Sequence, residues 1–184
     1  MPKITRKQFK YTLFQERRKR GDTIALIFAS FFGSGLSPWV SGTVGTAASI
    51  PFVFWLTQNL SLPIQIAAIV GLTPFASWAA YRVDWTQRSR DHGVIVIDEF
   101  LGFWITSLFN GTHWSHWVAT FFIFRFFDIL KVPPVRWCDQ LSKRSSPGQD
   151  ATFLSGFWVI ADDLLAGLQG LLLMAALFYF GWLS

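Results

Sequence analysis

Three stretches of this chain, 23–81, 100–124 and 164–184, contain no Asp, Glu, Lys or Arg. Each is long enough to supply at least one helix to a bilayer, whose core takes about 20 apolar residues per crossing. Polar, turn-forming segments divide them. The pattern predicts an all-α, polytopic membrane bundle of about five spans. A re-entrant or interfacial helix precedes them at 24–32, which is apolar but too short to cross. The segment from Gly33 to Thr46 holds four glycines and Pro38 and reads as a loop. Exposed irregular backbone cannot face lipid, so this loop is expected inside protein or at the interface. Spans are expected at about 44–59, 64–82, 94–110, 114–131 and 162–182. Pro63 suits a first helical turn, Pro74 a kink and Pro133-Pro134 a stop. Residues 132–156 read as a polar loop. Residues 1–22 form a basic tail and 23–184 one membrane-embedded domain.

Composition agrees. The 184 residues are 52% hydrophobic and only 15% charged, against roughly 25% charged in soluble domains. Eight of the 16 basic residues lie in the first 20 positions. They read as a cytoplasmic tail near anionic headgroups rather than a nucleic-acid site. No cleavable signal sequence is expected, because polar glycine-rich sequence follows the first apolar run. Outside the tail, every Lys and Arg except Arg125 lies in 82–93 or 131–150. Those segments are expected inside, with the N-terminus, and the turns near 59–63 and 110–116 outside.

This topology gathers the acids. Asp91, Asp98, Glu99, Asp128, Asp162 and Asp163 all fall at cytoplasmic ends of apolar segments. Carboxylates beside a bilayer are costly and mark a task or a partner. Clustered there, they would repel unless a cation neutralised them, and Mg²⁺ prefers a few carboxylates plus phosphate oxygens. A glycine-rich loop ahead of a helix can offer N–H groups to phosphate. Arg125, Asp128 and Lys131 recur every three residues and so lie near one helical face. Each feature also has a plainer origin. Acids in a first helical turn favour the helix dipole, as Asp162 and Asp163 would. Arg125 and Asp128 could neutralise each other, and the glycines could serve packing. Adjacent Asp98 and Glu99 point about 100° apart, so only one of them need touch a metal directly.

Two patterns are set aside, the cysteine motif and a zinc site, with His92 kept as the one candidate for acid–base work or, more plainly, a solvated loop residue. Cys138 and Arg144 have the Cys-x5-Arg spacing of cysteine phosphatases but lack its glycines, and Asp139 would disfavour a thiolate. His92, His113 and His116 show no zinc spacing, and only His92 falls on the acidic side.

Four segments in order resemble the phosphatidylglycerophosphatase A family. They are Gly33 to Thr46, Asp91 to Phe100 (Asp-His-Gly-Val-Ile-Val-Ile-Asp-Glu-Phe), Phe124 to Lys131 (Phe-Arg-Phe-Phe-Asp-Ile-Leu-Lys) and Asp162 to Gly167 (Asp-Asp-Leu-Leu-Ala-Gly). The resemblance implies a Mg²⁺-dependent phosphatase of the bacterial inner membrane. It would convert phosphatidylglycerophosphate to phosphatidylglycerol and phosphate at the cytoplasmic face. It implies catalytic roles for Asp98, Glu99, Asp128, Lys131 and Asp163, with metal held by a subset of Asp98, Glu99, Asp128, Asp162 and Asp163. Substrate contacts would fall to Gly33, Ser34, Gly35, Gly42, Thr43, Gly45, Thr46, Asp91, His92 and Arg125. The chain departs from the family pattern in three places. Ser41-Gly42-Thr43 replaces Pro-Gly-Thr. Lys131-Val132-Pro133-Pro134 replaces Lys-Pro-x-Pro. A glycine-rich stretch is reduced to Ser155-Gly156-Phe157-Trp158 behind a longer loop. A catalytically impaired scaffold and a cation-coupled transporter are the alternatives. The transporter would place its acids near the bilayer midplane.

Overall fold

The computed structural model describes residues 23–37, 40–84, 93–144 and 153–183. Two expected site residues, Asp91 and His92, and the basic tail lie outside the described residues. Those described form seven helices and no strand. They are α1 (Thr23–Ala29), α2 (Ser41–Asn59), α3 (Leu62–Asp84), α4 (Ile97–Thr106), α5 (Trp114–Leu130), α6 (Val135–Arg144) and α7 (Phe153–Tyr179). The all-helical expectation holds.

Among the described residues, two helices can cross a membrane by length and composition, over Leu62–Val83 and Phe153–Tyr179. Their apolar exposed side chains, such as Val70, Phe75 and Leu172, suit a hydrocarbon surround. The span expected at 94–110 is only partly helical. The ten residues of α4 reach about 15 Å, half of a hydrocarbon core. Residues 94–96 ahead of it are non-helical and buried. Their polar backbone is sheltered by protein, and the Val96 N–H donates to the Ala29 carbonyl at 2.8 Å.

Three element boundaries differ from those expected. The loop after α1 ends by Ser41, so Gly42, Thr43, Gly45 and Thr46 are helical. Thr46 and Ser49 bond back to the Gly42 and Gly45 carbonyls at 2.9 and 2.8 Å, which lets hydroxyls sit in an apolar helix. The segment 132–156 is not all loop, because α6 occupies part of it. Its Val135 and Asp139 are buried, whereas Trp137 and Leu141 face outward. And α7 starts at Phe153, nine residues before Asp162. Apolar Phe153 to Ala161 continues the helical face, and Ser155, Gly156 and Val159 are buried along it. Pro63 does sit in the first turn of α3, and the helix continues through Pro74.

The bundle is organised on α7, which packs against α3, α4, α5 and α6. Small residues let it approach closely. A Cβ on Gly156 would sit 2.3 Å from the Ser77 carbonyl oxygen of α3. One on Gly167 would sit 2.4 Å from the Gly102 carbonyl oxygen of α4. At that crossing Thr106 Oγ1 bridges backbone, donating to the Gly102 and Gly167 carbonyls at 3.0 and 3.2 Å. On α3, by contrast, a Cβ added to Gly71 would meet nothing within 4 Å.

Alanine substitutions should therefore diverge. Gly71→Ala should leave stability unchanged or raise it by about 0.5–1 kcal/mol, the helical preference of Ala over Gly. Gly167→Ala should lower it by about 1–3 kcal/mol through overpacking. Thermal unfolding of both variants in detergent checks the sign. A Gly167→Ala protein as stable as Gly71→Ala would contradict the close crossing.

Candidate active site

The α4–α7 crossing sets the distances between carboxylates. Asp98, Gly102 and Thr106 recur every four residues on α4, and Asp163, Gly167 and Gly170 follow a 4–3 spacing on α7, so each set shares a face. Gly102 meets the backbone of Asp163 and Gly167, and Gly170 meets Thr106, so the two helices run in the same direction. Asp98 and Asp163 lie one turn before the glycines and face each other. Glu99 extends the group toward α2, where a Cβ on Gly42 would lie 2.4 Å from Glu99 Oε1. The missing side chain at Gly42 leaves room for that carboxylate.

One oxygen from each of Asp98, Glu99 and Asp163 lies within 4.8 Å of the others, a spacing that could hold a metal ion. The Glu99 backbone N–H donates to Asp98 Oδ1 at 3.0 Å. Glu99 Oε2 is buried with no hydrogen-bond partner among the described residues. An orphaned carboxylate oxygen in an oxygen-only donor set fits a hard divalent cation.

Among the described residues, Asp128, Asp139 and Asp162 of the group are paired with cations. Arg125 and Asp128, three residues apart at the end of α5, form an ion pair, and the guanidinium also lies beside Gly42. Lys131 follows α5 in a left-handed conformation, φ 47° and ψ 55°, with its N–H on the Phe127 carbonyl. That turn brings its ammonium between Asp162 Oδ2, at 2.7 Å, and Asp139 Oδ1 of α6. Burial pulls the Lys131 pKa down, but Asp162 and Asp139 outweigh it and hold the ammonium above its ordinary value.

These groups enclose a cleft of about 230 Å³ lined by six carboxylates, Asp98, Glu99, Asp128, Asp139, Asp162 and Asp163, together with Lys131. Gly93, Ile95 and Val159 complete its wall. Asp162 and Asp163 do not open a helix as expected. They lie in the third turn of α7, beyond the reach of dipole stabilisation, so their burial has to be explained by Lys131 and by the cluster itself.

Not every expected residue reaches the cleft. Gly33, at φ 94°, makes the turn after α1, and Ser34 Oγ donates to the Ser30 carbonyl. Gly35 and Gly45 pack on the 94–96 segment, where a Cβ would meet the Val94 carbonyl oxygen at 2.2 Å and Val96 Cβ at 2.8 Å. The hydroxyl of Thr46 is spent within α2, and Thr43 is half-buried on the same helix. None of these residues lines the cleft, and of the glycines it is Gly42 that touches the acidic group. Gly42 and Gly45 lie within α2, in its first two turns, rather than in a loop ahead of it.

Asp139 joins the site without having stood out in the sequence as a site residue. The available signal is helical spacing after Pro133-Pro134, which puts Val135 and Asp139 on one face. Cys138 remains chemically quiet: burial and then the Asp162 charge push its thiol up. The rings of His113 and His116 lie 5.5 Å apart, tilted by 47°, near the start of α5, at the other end of that helix from Asp128.

Residues 27–178 match the phosphatidylglycerophosphatase A family. The chain is 36% identical to phosphatidylglycerophosphatase A of Escherichia coli (strain K12), covering 84% of this chain and 81% of that protein. It is 32% identical to a Bacteroides thetaiotaomicron protein named "Putative phosphatidylinositol-3-phosphatase", covering 85% and 95%. It is 29% identical to phosphatidylglycerophosphatase A of Haemophilus influenzae, covering 83% and 88%. No solved structure matches the chain. With the family matched across every helix that builds the cleft, the chain belongs to the phosphatidylglycerophosphatase A family of phosphatases.

Proposed function

We propose that the protein hydrolyses the terminal phosphomonoester of phosphatidylglycerophosphate, giving phosphatidylglycerol and phosphate, at the cytoplasmic face of a bacterial inner membrane. Family membership supports the reaction class and substrate. The observation that carries the reading is the unpartnered buried oxygen of Glu99 between Asp98 and Asp163.

Charge supports a divalent cation. Six carboxylates line the cleft with one cation, Lys131, while Arg125 pairs with Asp128 beside it, and an anionic phosphoryl group must enter the same space. Mg²⁺ held by Asp98, Glu99 and Asp163 would offset the excess and supply Lewis acidity toward the phosphoryl group. The protein's own groups then divide the work. Asp162 with Asp139 holds Lys131 in the wall of the cleft, and Asp128, which also lines it, tethers Arg125 behind. Lys131 can meet the phosphoryl oxygens as charge shifts onto them. Water replaces the glycerol oxygen on phosphorus, that P–O bond breaks, and the released alcohol takes a proton. The phosphodiester joining the two glycerols is untouched.

Access follows from the exposed apolar residues beside the site. Ile129 and Leu130 stand exposed next to Asp128 and Lys131, so a lipid headgroup can enter while its chains stay in the leaflet. Pulling the chains into water would cost about 0.8 kcal/mol per CH₂. At the opposite end of the bundle Trp114, Tyr179 and Trp182 are exposed, where aromatic rings favour an interface. In this reading α2, α3, the 94–110 segment, α5 and α7 make the five crossings, and α1 lies at the cytoplasmic interface. The acids gather at one end of the bundle, which argues against a midplane transport site.

Phosphate release from phosphatidylglycerophosphate should stop in EDTA and resume with excess Mg²⁺; undiminished turnover in chelator would sink the metal assignment. Phosphatidylinositol 3-phosphate, run in parallel, should be the poorer substrate, and a reversed preference would reassign the headgroup. No turnover of either would favour the impaired scaffold. Asp98→Asn and Asp163→Asn should each lower kcat/KM by at least about 100-fold, about 2.7 kcal/mol at the barrier, while still folding. Asp150→Asn, outside the described residues, is the active control. Single cysteines at Arg88 and Ser145 should label only from the cytoplasmic side, and one at Thr112 only from outside; the converse would invert the topology.

A further inference from the structure

We propose that Asp139 is a positioning residue of this site and acts through Lys131. The inference rests on the phosphatase reading above. An ammonium has three N–H donors. Two are taken by Asp139 Oδ1 and Asp162 Oδ2, which come from different helices, α6 and α7. The third is left for a phosphoryl oxygen in the cleft that all three residues line.

The need for two carboxylates comes from the lysine itself. Its four-carbon stem is flexible, and a lone acidic partner would leave the ammonium free to fold over it. Paired with Asp162 alone, Lys131 would neutralise the inner wall of the cleft and be lost to a ligand. Asp139 approaches from α6 and holds the ammonium between the two helices. The backbone is committed to the same end: Lys131 adopts a left-handed conformation, which a side chain with a Cβ rarely takes. Asp139 is in turn fixed by its helix, for it is buried on the same face as fully buried Val135. So α6, from a stretch that reads as loop, carries a residue of the active site.

The test is a double-mutant cycle. Lys131→Met should lower kcat/KM by about 100-fold and Asp139→Asn by about ten-fold, chiefly through KM. The double variant should stay near the Lys131→Met value, because a residue acting through Lys131 has nothing left to position. Asp139→Glu, which keeps the charge, should recover several-fold of the Asn loss. Simple multiplication of the two losses, to about 1000-fold, would overturn the proposal, as would Asp139→Asn with wild-type kinetics. A parallel arm titrates inorganic phosphate in the presence of Mg²⁺. Asp139→Asn should weaken phosphate binding several-fold in the wild-type background and not in Lys131→Met. This arm separates the two ideas. If wild-type protein hydrolyses no lipid phosphate, the phosphatase reading fails while the coupling is still read from binding. If wild-type protein binds no phosphate, the positioning role fails.

Discussion

The close crossing of α4 and α7 is the constraint on which the site depends. Gly102 and Gly167 meet backbone to backbone, with Thr106 Oγ1 tying both carbonyls. In a bilayer, helices gain little from burying apolar surface against one another, so close van der Waals contact and such hydrogen bonds carry the association. The crossing also measures out the chemistry. Because the helices run parallel, Asp98 and Asp163 are forced together one turn away, whatever their mutual repulsion. A wider crossing would relax that repulsion and dissolve the cluster.

How six acids share one cleft follows from their division into two groups. Asp128, Asp139 and Asp162 each have a cation, supplied by Arg125 or Lys131. Asp98, Glu99 and Asp163 form the compact remainder, and it is there that a buried oxygen lacks a partner. Burying an unpaired charge is expensive. A chain that keeps three such groups together gains from a ligand of opposite charge. Arg125 and Lys131 are thus held by acids of the same cluster, which fixes where two positive charges stand.

The short α4 fits the same logic. A helix of ten residues does not cross a bilayer alone, and the non-helical 94–96 segment would be intolerable against lipid. Both are covered, with Gly35 and Gly45 admitting the segment at backbone distance. Of the glycines that suggest a phosphate loop, Gly35 and Gly45 act on the site indirectly, by setting where α4 begins, whereas Gly42 makes room for Glu99 itself.

Much of this is legible in the one-dimensional pattern. Long charge-free runs dictate helices, since backbone in an apolar medium must satisfy its own hydrogen bonds. The position of acids at the ends of those runs marks one end of the bundle as chemical. The residues Asp98, Glu99, Arg125, Asp128, Lys131, Asp162 and Asp163 stand out on charge and spacing, and they do meet. What the pattern does not assign is partnership. Whether Asp162 belongs to a metal or to Lys131, and whether Gly45 serves phosphate or Val96, depends on distances between helices far apart in the chain. The start of α7 at Phe153 is hidden because an apolar stretch behind a polar loop carries no mark of where winding begins; contact with α3 through Gly156 decides it. Asp139 is hidden for the same reason, since a lone acid in a polar segment looks solvated. Only the fold brings it to Lys131, by packing Val135 inward. Charge and hydropathy act residue by residue and can be read along the chain, whereas pairing is a property of tertiary geometry.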